Sequence, residues 1–187
     1  MSRNLLSIIV IVSIVVVNVN GRYVVKKNRI KILYPYGIMP EEHDAAVADF
    51  GIPLDGGAMV GSVMYSQKNS HACKPFDAFE KDEQPFGSNS TRPIILLVDR
   101  GNCFFTLKVY YGMQAGAAAV LVADDRYEPL KTLESPKEIF YEDRYIDKIK
   151  IPSALIDRAF GETLKAALQK GEEDVVLKLY WSDLMPN

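Results

Sequence analysis

The chain of 187 residues is 48% hydrophobic and carries 22 basic against 24 acidic side chains, a net charge of −2. That length gives ample material for one domain with a proper core, and the charge balance removes the large basic excess that would recommend nucleic acid or an anionic membrane as partner. Two histidines, His43 and His71, are too few for a metal cluster without several distant carboxylates.

Met1-Ser2-Arg3 supplies one positive charge ahead of an almost wholly apolar stretch, residues 5–19, and Val19-Asn20-Gly21 places small or modest residues where a signal peptidase cuts. Residues 1–21 therefore read as a secretory signal, since the apolar core is short for a membrane span of about 20 residues. The mature domain is expected to be 22–187. Residues 22–33 form a mixed basic and apolar strand, broken by Pro35, Gly37 and Pro40. A short strand is expected at 45–50. Asp55-Gly56-Gly57 supplies a turn that permits positive φ before another strand at 58–65. Residues 66–92 are polar and interrupted by Pro75, Pro85 and Gly87, which predicts a long surface excursion. It contains Asn89-Ser90-Thr91, an N-glycosylation acceptor sequence at Asn89.

Residues 93–125 carry the clearest unit. An apolar run of strand length at 94–98 leads into the turn Asp99-Arg100-Gly101-Asn102, then a helical pattern that puts Phe104, Leu107, Tyr111 and Ala115 on or near one face. Gly112 and Gly116 each cost the helix about 1 kcal/mol against alanine, so their expected use is to let it lie close on a sheet. A second apolar run at 118–123 ends at Asp124-Asp125. Strand, turn, helix and strand in this order predict a right-handed crossover between parallel strands. A ligand of such a unit sits where the first strand hands over to the helix, here Arg100-Gly101-Asn102-Cys103.

Beyond it, residues 126–150 are charged and proline-punctuated, with a short helix expected near 137–146. Residues 151–156 make another short strand, with Pro152 suited to its edge or its first residues. Asp157 can N-cap the next helix, whose Phe160, Leu164, Ala167 and Leu168 form an apolar stripe ending at Gly171. Val175, Leu177, Leu179 and Trp181 alternate with Val176, Lys178 and Tyr180 in a closing strand.

Cys73 and Cys103 are an even pair in a chain with an export signal, which favours a disulfide between them. Closing about 30 residues is worth roughly 3–4 kcal/mol in the chain-entropy model. The competing reading is a thiol enzyme, with Cys103 activated beside Arg100 near a helix N-terminus. Only His43 and His71 are available as bases, and no recognisable spacing places either. GxGxxG, P-loop, GxSxG and HExxH motifs are all missing from the sequence. Asp124-Asp125 makes a poor carboxylate pair, because neighbours on an extended chain point apart; turn formation explains it better. No enzyme and no cofactor are expected. At Arg100, unpaired helix amides, the helix dipole and a guanidinium converge, an arrangement suited to carboxylate or peptide-carbonyl acceptors. Equally, Arg100 can pair with a neighbouring aspartate such as Asp99 and merely finish the turn. Spacing does not choose between them.

The stretch DRGNCFFTLKVYYGMQAGAAAVLVADD resembles the core signature of a protease-associated (PA) domain. With KNRIKI near the mature start, FGIPLDGGAMVGSVMY, HACKPFDAF, EPLKTLESP and IPSALIDRAFGETLKAAL, the chain is similar to the lumenal PA domain of plant vacuolar sorting receptors. The resemblance implies an α/β (α+β) fold, a curved barrel-like sheet flanked by helices. It implies a lumenal module that recognises sorting signals of soluble vacuolar cargo along the Golgi and prevacuolar pathway, with Arg100, Gly101 and Asn102 contributing to cargo contact. It implies peptide segments of cargo as partners, with no nucleic acid and no membrane insertion of the mature domain. Asn102 stands where those receptors usually have aspartate. Ala45 stands where they commonly have a further cysteine, which strengthens the pairing of Cys73 with Cys103. The receptors continue into EGF-like repeats, a transmembrane helix and a cytosolic tail. This chain, ending at Asn187, is expected to be a lumenal or secreted PA-only protein or a fragment of a longer receptor. The alternative role is an accessory PA domain that mediates protein contact or controls access to a protease without binding cargo.

Overall fold

The computed structural model describes residues 27–38, 40–51, 57–76, 91–131, 133, 145–171 and 174–181. The signal segment, the Asn89 acceptor sequence, the Asp55-Gly56 part of the turn and nearly all of the helix expected at 137–146 lie outside them. Among the described residues seven strands close a barrel: β1 (Lys27–Tyr34), β2 (Glu42–Val47), β3 (Gly57–Tyr65), β4 (Ile94–Asp99), β5 (Ala119–Ala123), β6 (Ser153–Ile156) and β7 (Val176–Trp181), in the spatial order β1-β2-β6-β5-β4-β3-β7. Helix α1 (Phe105–Gln114) joins β4 to β5 and α2 (Arg158–Lys170) joins β6 to β7. The run β3-β4-β5-β6 is parallel throughout, and β1, β2 and β7 close it with antiparallel pairings.

The apolar runs at β4 and β5 are uninterrupted because both faces of these strands are covered. Ile95, Leu97, Ala119, Leu121, Ala123, Ala154 and Ile156 face the barrel interior, where Phe160 and Leu164 of α2 join them. The alternate residues Leu96, Val98, Val120, Val122 and Leu155 face the other way, onto Val109 of α1. Small side chains at Ala45, Ala119, Ala123 and Ala154 fit the narrow interior of the barrel. The α2 stripe is core, as its spacing implies. Asp157 caps it by accepting the Phe160 N–H at 2.9 Å, and Gly171 ends it at φ +64°.

Three expectations are corrected. The buried face of α1 is Thr106, Lys108, Val109 and Gly112, while Phe104 is 60% exposed. The helix lies so close to the sheet that a Cβ at Gly112 would meet Val120 and Leu96 at 2.9 and 3.0 Å, so its bulky apolar residues are kept off that face. Gly116 has open space around it and serves instead as a positive-φ exit from the helix. Residues 66–76 are not a mere surface excursion, since Ala72 and Phe76 are buried in the outer core. Pro152 stands directly before β6, in keeping with a place at the strand's first residues rather than at a sheet edge, since β6 is paired on both sides.

The closest helix–sheet approach is at Gly161, where a Cβ would fall 2.5 Å from that of Ala123. Gly161→Ala is expected to destabilise the domain by about 1–3 kcal/mol, the usual cost of overpacking. The shift of the urea midpoint, at unchanged slope, measures it.

Candidate functional site

The corner where β4 hands over to α1 is built around a buried cation. Lys108 is fully buried on the inner face of α1, and its Nζ donates to the carbonyl oxygens of Gly101 and His71, each at 2.6 Å. Cys73 Sγ lies 3.7 Å from the same nitrogen. The Cys73–Cys103 disulfide ties the 71–76 segment to this turn. Burial pushes the Lys108 ammonium down to about 8, against the pull of the Asp99 charge.

Turning the Gly101 carbonyl inward requires an unusual backbone. Gly101 and Asn102 have φ of +101° and +66°, tolerable for glycine and for asparagine but strained for most side chains. The Gly101 oxygen also accepts the Cys103 N–H at 2.9 Å. A trans peptide holds its C=O and the following N–H in opposite directions, so an inward Gly101 carbonyl sends the Asn102 N–H outward. Helix α1 then begins with no side-chain cap at Phe104; the Leu107 N–H turns back to the Phe104 carbonyl at 3.1 Å, while among the described residues the Phe105 and Thr106 amides have no partner.

Arg100 does not pair with Asp99. Its Nη1 donates to Asp124 Oδ1 at 2.8 Å and its Nε lies 3.6 Å from Asp125 Oδ1. Asp124 is buried, and its Oδ1 also accepts the Arg126 N–H at 3.1 Å. Asp99 is engaged elsewhere: it accepts from Tyr65 Oη at 2.7 Å and from Lys165 Nζ at 2.9 Å. Burial works against the Asp99 carboxylate, but these two donors outweigh it and hold the group below its ordinary range. Burial, with the bond to Asp99, pushes Tyr65 up to about 12.

The Arg100 side chain stays one-quarter exposed, and the corner is open. A hollow of about 380 Å³ is lined by Arg100, Gly101, Asn102, Phe104, Phe105 and Arg126, among others. Nη2 of Arg100 has no acceptor among the described residues. Pairing and openness therefore coexist: the guanidinium closes the turn through Nη1 and Nε and walls the hollow with the rest. Both cysteines are consumed by the disulfide, so the thiol-enzyme reading fails. His71 meets this region through its carbonyl and through its ring, which a Cβ at Gly101 would meet at 3.8 Å, while His43 lies apart, stacked on Phe160 at 3.6 Å. Sequence reasoning missed Lys108, and it read Asp124 as a turn residue rather than as the partner of Arg100. A lysine among the apolar positions of α1 was the available signal for the first.

A family model for the PA domain matches residues 59–164. The chain belongs to the PA-domain family. This PA domain is 48% identical over 182 residues to vacuolar-sorting receptor 6 of Arabidopsis thaliana, covering 97% of this chain and 28% of that protein. It is 46% identical over 167 residues to vacuolar-sorting receptor 1 of Pisum sativum, covering 89% and 26%. The chain thus spans about a quarter of the length of these relatives, which are named as receptors rather than enzymes. An aminopeptidase from Aneurinibacillus sp. strain AM-1 shares the fold, with TM-score 0.53 at 17% identity over 83% of this chain and 30% of that one. A peptidase M28 precursor from Shewanella amazonensis does so with TM-score 0.51 at 12% identity, over 84% and 35%.

Lys108→Met removes the donor to two inward carbonyls and is expected to cost about 2 kcal/mol or more. The pH dependence has a definite sign. Below about pH 8 Lys108 is protonated in both folded and unfolded chains; above it the folded chain loses a proton that the unfolded chain keeps up to about 10.5. Stability contributed by this group therefore rises with pH from about 8 to 10. Urea midpoints over that range should climb in the wild type and lose the Lys108 increment in Lys108→Met.

Proposed function

We propose that this PA domain is a lumenal peptide-binding module of vacuolar-sorting-receptor type, which recognises sorting signals in soluble vacuolar cargo. The observation that carries the reading is the open hollow at Arg100, Gly101 and Asn102, with an outward amide and an uncapped helix start beside a guanidinium. These groups suit the carbonyls of an extended main chain. No catalytic step is assigned to them. Similarity to receptors over nearly the whole chain supports the same reading. We take residues 1–21 as the signal, 22–187 as the domain, Asn89 as its glycosylation acceptor and the Golgi–prevacuolar lumen as its place of work.

A synthetic peptide carrying a vacuolar sorting signal is expected to bind. Arg100→Lys keeps a cation opposite Asp124 but loses the planar fork, and should weaken binding by roughly tenfold or more. Isothermal titration with matched thermal melts checks this. Equal affinity for both proteins would remove Arg100 from the account. Absence of peptide binding together with a co-purifying protease would favour the accessory role instead.

A further inference from the structure

The buried ammonium of Lys108 has one proton more than it has good acceptors. The carbonyl oxygens of His71 and Gly101 take two protons, each at 2.6 Å, and the nitrogen also faces Cys73 Sγ at 3.7 Å. A disulfide sulfur carries no charge and accepts weakly, so it does little for that third proton. Among the described residues no carboxylate touches the nitrogen. Asp99 acts on it only from a distance, since its two carboxylate oxygens are engaged by Tyr65 and Lys165. His71 is the other titratable side chain beside the bridge, and its ring Nδ1 lies 3.1 Å from Ser70 Oγ. While the disulfide is closed, then, a charge is buried with no counter-anion in contact, which is the costly arrangement for a lysine. An anion formed at Cys73 would supply the missing partner at a contact that already exists.

The two sulfurs of the bridge are not equivalent. Cys103 belongs to the lining of the open hollow of about 380 Å³, whereas Cys73 carries the contact with Lys108. Thiol–disulfide exchange proceeds by attack of a thiolate on one sulfur, and the sulfur of lower thiol pKa leaves faster. A cation in contact lowers a thiol's pKa. We infer that the Cys73–Cys103 bridge is a directional thiol-exchange site, in which a small thiol entering the hollow attacks Cys103 Sγ and Cys73 leaves as a thiolate onto the Lys108 ammonium. The attacking thiolate's electron pair forms the new bond to Cys103 Sγ, and the pair of the broken S–S bond stays on Cys73. A second molecule of the thiol, as thiolate, then attacks the sulfur of the first, releasing Cys103, which takes a proton from solvent. The bridge gains two electrons and the two thiols leave joined as their own disulfide. The ion pair holds residues 71–76 on the turn once the covalent link has opened, because the His71 and Gly101 carbonyls stay on the same nitrogen. Peptide binding plays no part in this inference.

The test begins with the disulfide-bonded protein and reduced glutathione near neutral pH, quenched with acid and mapped by peptide mass spectrometry. Glutathione should be found on Cys103 over Cys73 by about tenfold or more. Cys103→Ser leaves Cys73 as the sole thiol, and its thiolate absorbance should titrate about 1–2 pH units below the ordinary value of about 8.5. Lys108→Met in that background should return the midpoint to the ordinary value or above it, and in the disulfide-bonded protein it should slow opening by glutathione about tenfold. Near-ultraviolet circular dichroism checks that each variant is folded. Should Lys108→Met fail that check, the mapping and the Cys103→Ser titration still decide, because both keep the lysine. Glutathione on Cys73, an even division between the two cysteines, or an ordinary midpoint in folded Cys103→Ser overturns the inference and leaves the bridge a structural link alone.

Discussion

An ammonium group with no carboxylate in contact among the described residues sits at the centre of this corner, and the rest of the turn is arranged to satisfy it. Taking a lysine head out of water is costly unless its protons find acceptors. Lys108 finds two main-chain carbonyls, from segments far apart in sequence, at the short distance expected of charge-assisted bonds. The consequences spread outward. The Gly101 carbonyl must point in, so positive φ is needed at 101 and 102 and the Asn102 amide must point out. The His71 carbonyl must point in as well, which brings Cys73 beside Cys103. A side chain that touches no ligand thereby sets which face of the backbone a ligand meets.

Arg100 shows why an ion pair and a binding role need not compete. Its partner Asp124 is buried and depends on it, whereas the guanidinium itself remains partly in solvent. Such a pair contributes little if both ends are wet, but removing the cation here would strand a buried carboxylate. A guanidinium has five donors, and the pair with Asp124 occupies only one edge. A guest carbonyl can add to the arrangement without dismantling it. Lysine divides its donors less well here, because they radiate from one point rather than from a planar fork.

The parts of this fold that were legible in the sequence are those whose neighbours in the chain are also neighbours in space. β4, α1 and β5 follow from two apolar runs around a helical stretch, and α2 from an aspartate cap, a stripe and a terminal glycine. Closure of the barrel was legible only through the family resemblance, since local patterning does not show β1 meeting β7 and β2 meeting β6 across most of the chain. The α1 face was misread for a related reason. Amphipathic patterning assumes that a helix buries its largest apolar residues, but Gly112 brings α1 so near the sheet that Thr106 and Val109 fill the gap, and Lys108 goes inward to reach carbonyls of distant loops. Asp99 was the natural partner for Arg100 by proximity in sequence. Tyr65 and Lys165 claim it first, and they come from strands and helices no local pattern connects.

Helix α2 turns out to stand behind the corner although it contributes nothing to its surface. Lys165 holds Asp99, the residue before Arg100, and Arg158 Nη1 reaches the Asp125 carbonyl at 3.3 Å, the residue after Arg100's buried partner. Both flanks of the turn are thus tied to one rigid element, which is itself seated in the barrel core through Phe160 and Leu164. With the disulfide and Lys108 fixing the turn from beneath, little backbone freedom remains there to be lost when a guest arrives. Ordering costs commonly absorb a large part of the gross binding energy of short peptides. A corner built rigid before any guest arrives would leave that cost to the guest alone, so a few main-chain contacts could suffice where a mobile loop would need a much larger interface.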